Sequence, residues 1–588
     1  MSLVAKLVLS LTGPLTITEF EKACEHPLAA QRQLLRDILQ RNKDTAFGKK
    51  HGFGRIKTLR AFQKSVPLST YEDLKPYIDA ELRGQHGQLT AEKPVLFAMT
   101  SGTTGDAKYI PVTPESRKAK ADLMKVWLSA FYRDHPEIFS ERVLSIVSPE
   151  MEERAPDGTP CGAESGHAYR NIPAPIRSLY SLPYEVFEIE DYEARYYTIL
   201  RIAAAQSVSL IVTVNPSTLL VLCERLAQHT KSLISDIRKG GLSTRFPVSD
   251  ETREKIKSYL TANPERADEL QRLVAKNGRK LSPRLIWPKL AAVACWQGGT
   301  VATYLEKLKG YFPENIPFRD LGYLASEQRG SVPLFDDADS GVLAIATNVY
   351  EFWPAEKDPN ERTPPRDKLL LAHKVELGKR YYVYVTTLGG LYRYEMNDVV
   401  EVSAYYKKTP MIRFIQKGKG MVSFTGEKLS ETQVMAAVEQ AFKPVTGKYD
   451  FISAVGEMNG KAPHYVFLAE FDKVPAAGQL KEIVQTLDSS LCSQNSEYAS
   501  KRKSLRIEPP VLRIVRRGEF DKYRKKKVSN GSPDGQFKIM RLTDDQEFAN
   551  EFAVVRDVEL GRSGKRATKG PEAKKSSPRS RKPAQPTR

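Results

Sequence analysis

Apolar residues recur at helical spacing through the first 90 residues of the chain. The segments 28–42 and 58–66 show this spacing, and residues 70–84 form another helical stretch after Pro67 and Ser69. The opening residues 1–14 hold a short apolar stretch without a clear small-residue cleavage site. We therefore interpret them as a first helix that packs on the body, rather than as a signal peptide.

The pattern changes after Pro94, where a short apolar strand, VLFAM, leads into a Gly/Ser/Thr turn. From there to about residue 400, β-rich segments alternate with amphipathic ones. The run at 207–214 precedes a helical pattern at 215–229, and the run at 290–299 precedes another at 300–312. Alternating strands and helices predict an α/β fold with a substantially parallel sheet.

From Lys379 onward the pattern is that of strands, and KRYYVYVTT, a Leu-Gly-Gly turn and LYRYEMNDVVEVSAYY predict a hairpin. Residues 414–428 are glycine-rich and basic and are interpreted as a connection. A capping box from Ser430 to Gln433 then begins a helix with one apolar face. We expect a large N-terminal domain at 1–419, a small C-terminal domain at 420–556 and a disordered basic tail at 557–588.

The formal charge of +19 raises the question of nucleic-acid binding. About half of it belongs to residues 561–588, which hold ten Lys or Arg and one acid. That segment is rich in Ser, Pro and Lys and has no apolar periodicity, which favours a solvated tail over a specific nucleic-acid site. The five cysteines are scattered and never form a CxxC pair, which fits the cytoplasm. No apolar run is long enough to span a membrane.

The segment that follows the VLFAM strand has the composition of a phosphate-binding loop. Glycines allow the backbone to approach an anion, hydroxyl groups donate to it, and a lysine supplies charge. It is not a Walker A motif, and a Gly/Ser/Thr loop taken alone is more often an ordinary turn than a nucleotide site. The candidate phosphate ligands are Ser101, Thr103, Thr104 and Lys108.

Two further segments carry acids that suit a nucleotide. Glu327 is predicted at the end of a strand-like stretch, where a carboxylate can hold Mg²⁺ against a polyphosphate. Upstream, the turn with Gly298 and Gly299 leaves room for a flat base. Asp398 is predicted to follow the hairpin, where it can accept both hydroxyls of a ribose. Each acid is also compatible with an ordinary surface position.

Taken together and in this order, the three segments are specific. TSGTTGxxK, then YxASE, then YRYxxxD resembles the firefly-luciferase-like adenylate-forming superfamily. The chain also resembles the auxin-responsive acyl acid amido synthetases. The features that carry this resemblance are the segment GLYRYEMNDVVEV, the helical N-terminus, and the segments GEFDKYRKKKV and GQFKIMRL. The resemblance spans about residues 10 to 556.

The resemblance implies an ATP- and Mg²⁺-dependent ligase, with a β-barrel-like portion in its large domain and a mobile α+β C-terminal domain. It places Tyr323 near the adenine, Ser326 near the α-phosphate, Glu327 on the metal and Asp398 on the ribose. Asn397 stands where the family has glycine before this aspartate, so the turn must differ. The resemblance implies further that two lysines of the C-terminal domain act in catalysis, and that the hinge lies within 417–420. The two lysines are Lys538 and Lys428.

The expected reaction is adenylation of a small carboxylic acid followed by transfer of the acyl group to an amine, with an amino acid as the expected amine. The amine acceptor follows from the resemblance alone. An acyl-CoA ligase shares the first half-reaction and is the nearest alternative, and a basic nucleic-acid-binding protein is the alternative from another class. We expect a monomer.

Overall fold

The structure is a computed structural model, and it describes residues 3–101, 107–278, 280–298, 302–336, 338–355, 364–418, 420–445, 449–458, 462–523 and 541–560. The predicted basic tail lies almost wholly outside these residues. No described helix has both the length and the apolar character that a membrane span requires.

Helices dominate the N-terminal third of the described chain and recur after most of the parallel strands. The helices are α1 (Leu3–Glu25), α2 (Pro27–Asn42), α3 (Ala46–Lys50), α4 (Leu59–Ser65), α5 (Tyr71–Leu82), α6 (Pro114–Asp134), α7 (Glu164–Arg170), α8 (Ala174–Arg177), α9 (Tyr192–Ala204), α10 (Pro216–Gln228), α11 (Thr230–Lys239), α12 (Asp250–Lys255), α13 (Pro264–Lys276), α14 (Pro283–Ile286), α15 (Ala302–Lys309), α16 (Glu431–Phe442), α17 (Ala477–Gln494), α18 (Ser496–Lys503) and α19 (Gln546–Asn550).

Within the described residues, the strands form five sheets. They are β1 (Leu96–Ser101), β2 (Ala107–Val112), β3 (Arg142–Ile146), β4 (Glu153–Arg154), β5 (Pro160–Gly162), β6 (Val208–Thr213), β7 (Ala292–Ala294), β8 (Phe318–Arg319), β9 (Ser331–Val332), β10 (Ser340–Leu343), β11 (Asn348–Pro354), β12 (Leu370–Leu371), β13 (Arg380–Thr387), β14 (Tyr394–Tyr406), β15 (Thr409–Lys417), β16 (Met421–Val422), β17 (Leu429–Ser430), β18 (Tyr449–Glu457), β19 (His464–Phe471), β20 (Val511–Val515), β21 (Leu542–Thr543) and β22 (Val554–Val558).

The helical prediction for the first 90 residues is confirmed, and side-chain caps explain where the helices begin. Thr45 and Thr58 accept the backbone N–H groups of Gly48 and Ala61 at the start of α3 and α4. Thr70 closes a capping box at the start of α5. These short polar side chains satisfy amide groups that the first helical turn leaves free.

The α/β prediction is confirmed by the sheet β3-β6-β7-β8, whose strands are all parallel. Its side chains alternate between two cores. Leu210 packs toward α6, whereas Ile211 packs on the opposite face in the core that includes α9 and α10. Burial on both faces explains why the sequence at 207–214 is a continuous apolar run.

A second large sheet has the order β12-β11-β13-β14-β15-β10-β9 and is antiparallel. The portion predicted to be barrel-like is this seven-stranded sheet. The predicted hairpin is formed by β13 and β14. Residues 414–417, predicted to belong to a connection, are instead the end of β15, because they pair with β14.

The C-terminal part of the described chain has its own sheet, β21-β18-β19-β20-β22, and its own core. The predicted capping box at Ser430 is present, and Val434, Val438 and Phe442 of α16 are buried as expected. The last strand, β22, runs to Val558, two residues beyond the predicted end of this unit.

A buried ion pair joins the N-terminal helices to the antiparallel sheet. The Arg393 guanidinium binds both carboxylate oxygens of Glu351 at 2.8 Å, and neither side chain is more than 3% exposed. The same guanidinium donates to the carbonyls of Gln63 and Val66 at the end of α4. Gln63 also donates to Glu351 through its side-chain amide. This pair fixes the position of the chain that leads into β14.

We predict that Glu351→Ala destabilises the protein by about 3–5 kcal/mol, because it leaves the Arg393 guanidinium buried without a counter-charge. Chemical unfolding followed by circular dichroism measures the loss. The control is Lys118→Ala, which breaks an exposed pair with Asp122 and is expected to leave the stability almost unchanged, because water screens such a pair. Equal stabilities of the two variants would contradict the assignment.

Candidate functional site

Two paired strands flank the predicted phosphate loop, whose residues 102–106 lie outside the described residues. Strands β1 and β2 are antiparallel, with Thr100 opposite Lys108 and Ser101 opposite Ala107. Thr103 and Thr104 lie outside the described residues, and Ser101 is described only by its backbone. The structure therefore places the lysine of the motif on β2, where the hairpin resumes after the loop.

The Lys108 ammonium is partly buried and lies over the Tyr71 ring, with Nζ 5.2 Å from the ring centroid. Burial lowers the pKa of Lys108, and the charge of Glu327 acts in the opposite direction. Lys428 and Lys417 also lower it, which shows that their charges lie nearby. An anion that binds here would stabilise the charged form of Lys108.

Glu327 lies in a tight loop rather than at the end of a strand, which corrects the prediction, because β8 already ends at Arg319. The loop is closed by backbone bonds from Gly330 to Tyr323 and between Ala325 and Gln328. A Cβ at Gly330 would lie 2.5 Å from the Tyr323 ring, so only glycine permits this closure. The loop holds Glu327 at its tip.

Lysines from three separate segments act on Glu327. Burial acts to raise the pKa of this carboxyl, yet the lysine charges hold the pKa below the ordinary value. In order of effect they are Lys428, Lys417 and Lys108. Its Oε2 atom is buried and has no hydrogen-bond partner among the described residues. An ionised carboxylate with a free oxygen amid three lysines suits a polyphosphate with a bound cation.

Asp398 lies within β14, between β13 and β15, and not after the hairpin as predicted. Its side chain is buried. The Lys417 Nζ is 2.5 Å from Oδ1, and the Tyr323 hydroxyl donates to Oδ2 at 2.5 Å. Burial, and then the charge of Asp398, raise the pKa of Tyr323 well above its ordinary value, so the hydroxyl keeps its proton. The structure thus joins Tyr323, Asp398 and Lys417.

Asn397, the residue before Asp398, stands where the family motif has glycine, and its backbone conformation explains why asparagine is accepted there. Asn397 has φ 50°, a left-handed conformation that glycine adopts freely and asparagine tolerates best among the other residues. Asparagine in place of glycine therefore still permits the left-handed backbone at this position of β14, where the sequence predicted a different turn. Gly418 packs against this side chain, and a Cβ at Gly418 would lie 2.1 Å from Asn397 Oδ1.

Lys428 comes from the C-terminal part of the chain and follows a buried acid that fixes its backbone. Glu427 accepts the N–H groups of Phe424 and Thr425 at 2.8 Å, and the Tyr465 hydroxyl also donates to it. Lys428 itself has φ 48°. The strained backbone at Lys428 is thus held by an acid whose hydrogen bonds lie within the C-terminal part.

The other predicted residues are only partly placed. Gly298 lies beside Phe414, whose ring stacks on Tyr323 with centroids 6.2 Å apart. The Ser326 carbonyl accepts the Lys120 ammonium at 3.0 Å. Gly299 and Lys538 lie outside the described residues. In the described part of the chain, no group of three or more His, Cys, Asp or Glu side chains could hold a metal ion.

Sequence reasoning missed two lysines that the structure brings to this site. Lys417 was considered only as part of the hinge, and Lys120 was not considered. Lys120 is on α6, where it pairs with Glu164 at 2.6 Å and reaches the loop that carries Glu327. The signal for Lys417 was present, because counting outward from the turn at 407–408 pairs it with Asp398.

We predict that Gly418→Ala destabilises the protein by about 1–3 kcal/mol, since its Cβ overlaps Asn397 and a well-packed site accommodates extra atoms poorly. The double variant Asn397→Gly/Gly418→Ala should regain much of this loss, because it removes the overlapping amide. Urea unfolding of the two single variants and the double variant measures the coupling. Additive effects would show that the two residues do not conflict.

Family models match the chain in three consecutive segments. The GH3 family N-terminal domain matches residues 16–318, the central domain matches residues 341–417, and the C-terminal domain matches residues 432–547. The first of these alone covers more than half of the chain.

Full-length relatives and solved structures agree with these matches. The chain is 26% identical to a jasmonoyl–L-amino acid synthetase of Oryza sativa subsp. japonica, over 90% of this chain and 94% of that protein. It is 26% identical to an indole-3-acetic acid-amido synthetase of Arabidopsis thaliana, over 87% of this chain and 90% of that protein. The GH3.15 acyl acid amido synthetase has the same fold, with a TM-score of 0.62 at 23% identity, over 93% of this chain and 97% of that one. The resemblance to the auxin-responsive amido synthetases is thereby confirmed, and the chain belongs to the GH3 family.

Proposed function

We propose that this protein is an ATP-dependent ligase that adenylates a carboxylic acid and transfers the acyl group to an amine, namely an amino acid. The observation that carries the proposal is the buried pair of Asp398 and Lys417, together with Glu327, a carboxyl whose pKa the charges of Lys428, Lys417 and Lys108 lower. An anion-binding region thus adjoins a carboxylate that suits a ribose. Family membership supports the amide product, because the relatives are named amido synthetases.

In this proposal, the loop residues Ser101, Thr103 and Thr104 bind the ATP phosphates together with Lys108. Asp398 accepts the ribose hydroxyls, and the base lies near Tyr323 beside Gly298 and Gly299. Glu327 would hold Mg²⁺ through its unpartnered oxygen, and a bound Mg²⁺ would neutralise phosphate charge. The roles of these residues remain predictions.

The chain's own residues act on the reaction through position and charge. The acid attacks the α-phosphorus in line, and lysine ammonium groups stabilise the negative charge that develops on the phosphate oxygens. Lys108 and Lys428 can do so from opposite parts of the chain, and Lys538 is proposed as a further lysine of this kind. Pyrophosphate leaves, and the acyl carbon of the mixed anhydride is open to an amine.

The second half-reaction is proposed to follow rotation of the C-terminal part about residues 417–420. Rotation would withdraw Lys428 from Glu327 and open a path for the amine. Attack of the amine on the acyl carbon then releases AMP and forms the amide. The protein needs no nucleophile of its own for this step. A monomer in the cytoplasm remains our prediction.

Measuring AMP release tests the proposal. The protein is incubated with ATP, Mg²⁺ and a panel of carboxylic acids, with amino acids, with CoA, or with neither acceptor. We expect acid-dependent AMP release that amino acids increase and CoA does not. Release that depends on CoA would establish an acyl-CoA ligase instead, and no acid-dependent release would overturn adenylation.

Two variants on one strand assign the activity to the site. Asp398→Ala is expected to lower kcat/KM. The decrease should correspond to a loss of about 2 to 4 kcal/mol in transition-state stabilisation, which is typical of one electrostatic contact at a reaction centre. Glu401→Gln is the matched control, since Glu401 lies on the same strand but pairs with Arg380 and Arg413. Equal losses in the two variants would exclude a specific role for Asp398.

The lowered pKa of Lys108 gives an expected pH dependence. Burial disfavours the ammonium form, so the free enzyme loses this charge below the ordinary lysine pKa of 10.5. The kcat/KM for ATP should therefore fall as the pH rises, beginning below 10.5. Lys108→Arg should shift this fall to higher pH, because a guanidinium stays protonated. Superimposable normalised profiles would show that another group titrates.

A further inference from the structure

The loop that carries Glu327 is anchored at its base and has few contacts at its tip, residues 324–328. Beyond the tip, the side-chain amide of Asn348 donates to the Arg329 carbonyl at 3.1 Å. Within the tip, backbone hydrogen bonds join Ala325 and Gln328. These backbone bonds close the turn, but they lie inside it and therefore do not fix its orientation relative to the rest of the protein.

Among the residues that the structure describes, one side chain forms a hydrogen bond to this tip from outside the loop. The Lys120 ammonium donates to the Ser326 carbonyl at 3.0 Å, and Ser326 directly precedes Glu327. In the same part of the chain, the Glu327 Oε2 atom and both side-chain amide atoms of Gln328 have no hydrogen-bond partner. The orientation of the tip therefore depends on Lys120.

Lys120 is itself held by an acid at the start of α7. Its Nζ lies 2.6 Å from a carboxylate oxygen of Glu164, and the exposed fractions of the two side chains are only 17% and 23%. Helix α7 in turn packs closely on the chain that follows β3, since a Cβ at Gly166 would lie 2.3 Å from the Ser148 carbonyl oxygen. Lys120 thus ties the loop to a tightly packed helix.

Lys120 acts on Glu327 through position rather than through charge. Glu164 balances the Lys120 ammonium, and the three lysines whose charges lower the pKa of Glu327 lie outside α6. A carboxylate that holds a cation against phosphates must be oriented by the groups around it. We propose, on the basis of the proposed function, that Lys120 is a positioning residue, which through the Ser326 carbonyl directs the Glu327 carboxylate toward the ATP phosphates and their Mg²⁺.

The test combines Lys120→Met and Glu327→Gln in a double-mutant cycle. Acid-dependent pyrophosphate exchange gives kcat/KM for ATP in the presence of Mg²⁺. We expect Lys120→Met to lower kcat/KM by about 10- to 100-fold, the usual effect of losing a group that orients a metal ligand. The double variant should lose no more than Glu327→Gln alone, because Lys120 acts through Glu327. Losses that multiply in the double variant would overturn the inference.

Two further variants on α6 separate this role from general damage to the helix. Lys120→Arg keeps a charged donor for the Ser326 carbonyl and for Glu164, so it should retain most of kcat/KM. Lys125→Met is the matched control, because Lys125 lies on the same helix in an exposed pair with Asp122, and it should leave kcat/KM unchanged. Equal losses in Lys120→Met and Lys125→Met would overturn the inference.

ATP binding gives a readout that does not require turnover. In titration calorimetry with Mg²⁺, Lys120→Met should bind ATP about 10- to 100-fold more weakly than the unchanged protein. In EDTA the two proteins should bind ATP equally, because Glu327 is proposed to reach the phosphates through the metal. Equal weakening with Mg²⁺ and with EDTA, together with a lower thermal unfolding midpoint, would overturn the inference and assign Lys120 a structural role.

The possible results separate the two proposals. Acid-dependent exchange that is lost in Glu327→Gln but intact in Lys120→Met would overturn this inference and leave the proposed function standing. Absence of exchange with every acid in the unchanged protein would overturn the proposed function and this inference with it.

Discussion

The ion pair between Arg393 and Glu351 is the constraint on which the candidate site depends. Two charges removed from water are tolerated only when every partner is in place. Here the partners come from the end of α4, from β11 and from the chain that enters β14. The N-terminal helices and the antiparallel sheet must therefore assemble together. Asp398 lies on β14, five residues beyond Arg393, so its position depends on this assembly.

The site itself is organised by charge that the protein does not fully balance. Glu327 stands among lysines that come from β2, from the end of β15 and from the C-terminal part. Arg329, two residues later, is buried, and its Nε has no hydrogen-bond partner among the described residues. A folded protein maintains such a deficit because packing elsewhere supplies the stability.

Much of the fold could be predicted from the sequence, because its local signals agree with the final structure. The helical spacing of the first 90 residues, the apolar run at 207–214 and the capping box at Ser430 each specify an element without help from distant contacts. The hairpin of β13 and β14, which contains Asp398, could likewise be predicted. The strand that ends at Lys417 was not, because its glycine-rich continuation gave it the composition of a connection.

The sequence indicated which residues belong to the site, but not where the fold places them. The order of three motifs indicated Glu327 and Asp398, but not that Glu327 occupies a loop closed by Gly330, which depends on contacts with the Tyr323 ring. Two register irregularities occur between β14 and β15. Their shifts compensate each other, so Lys417 still pairs with Asp398. Arg329 gave no signal in sequence, because a buried polar atom without a partner is recognisable only once its surroundings are known.

Through Lys417, Asp398 is linked to the segment that joins the two parts of the chain. Lys417 is the last residue of β15, and Gly418 follows it at the joint between the two parts of the chain. The Lys417 side chain therefore connects Asp398 with the backbone of the segment that joins the two parts of the chain. In the proposed function, a nucleotide that binds Asp398 would weaken this contact, and movement of the joining segment would expose the carboxylate. Because such linkage is reciprocal, nucleotide occupancy and the orientation of the C-terminal part would then set each other's equilibrium.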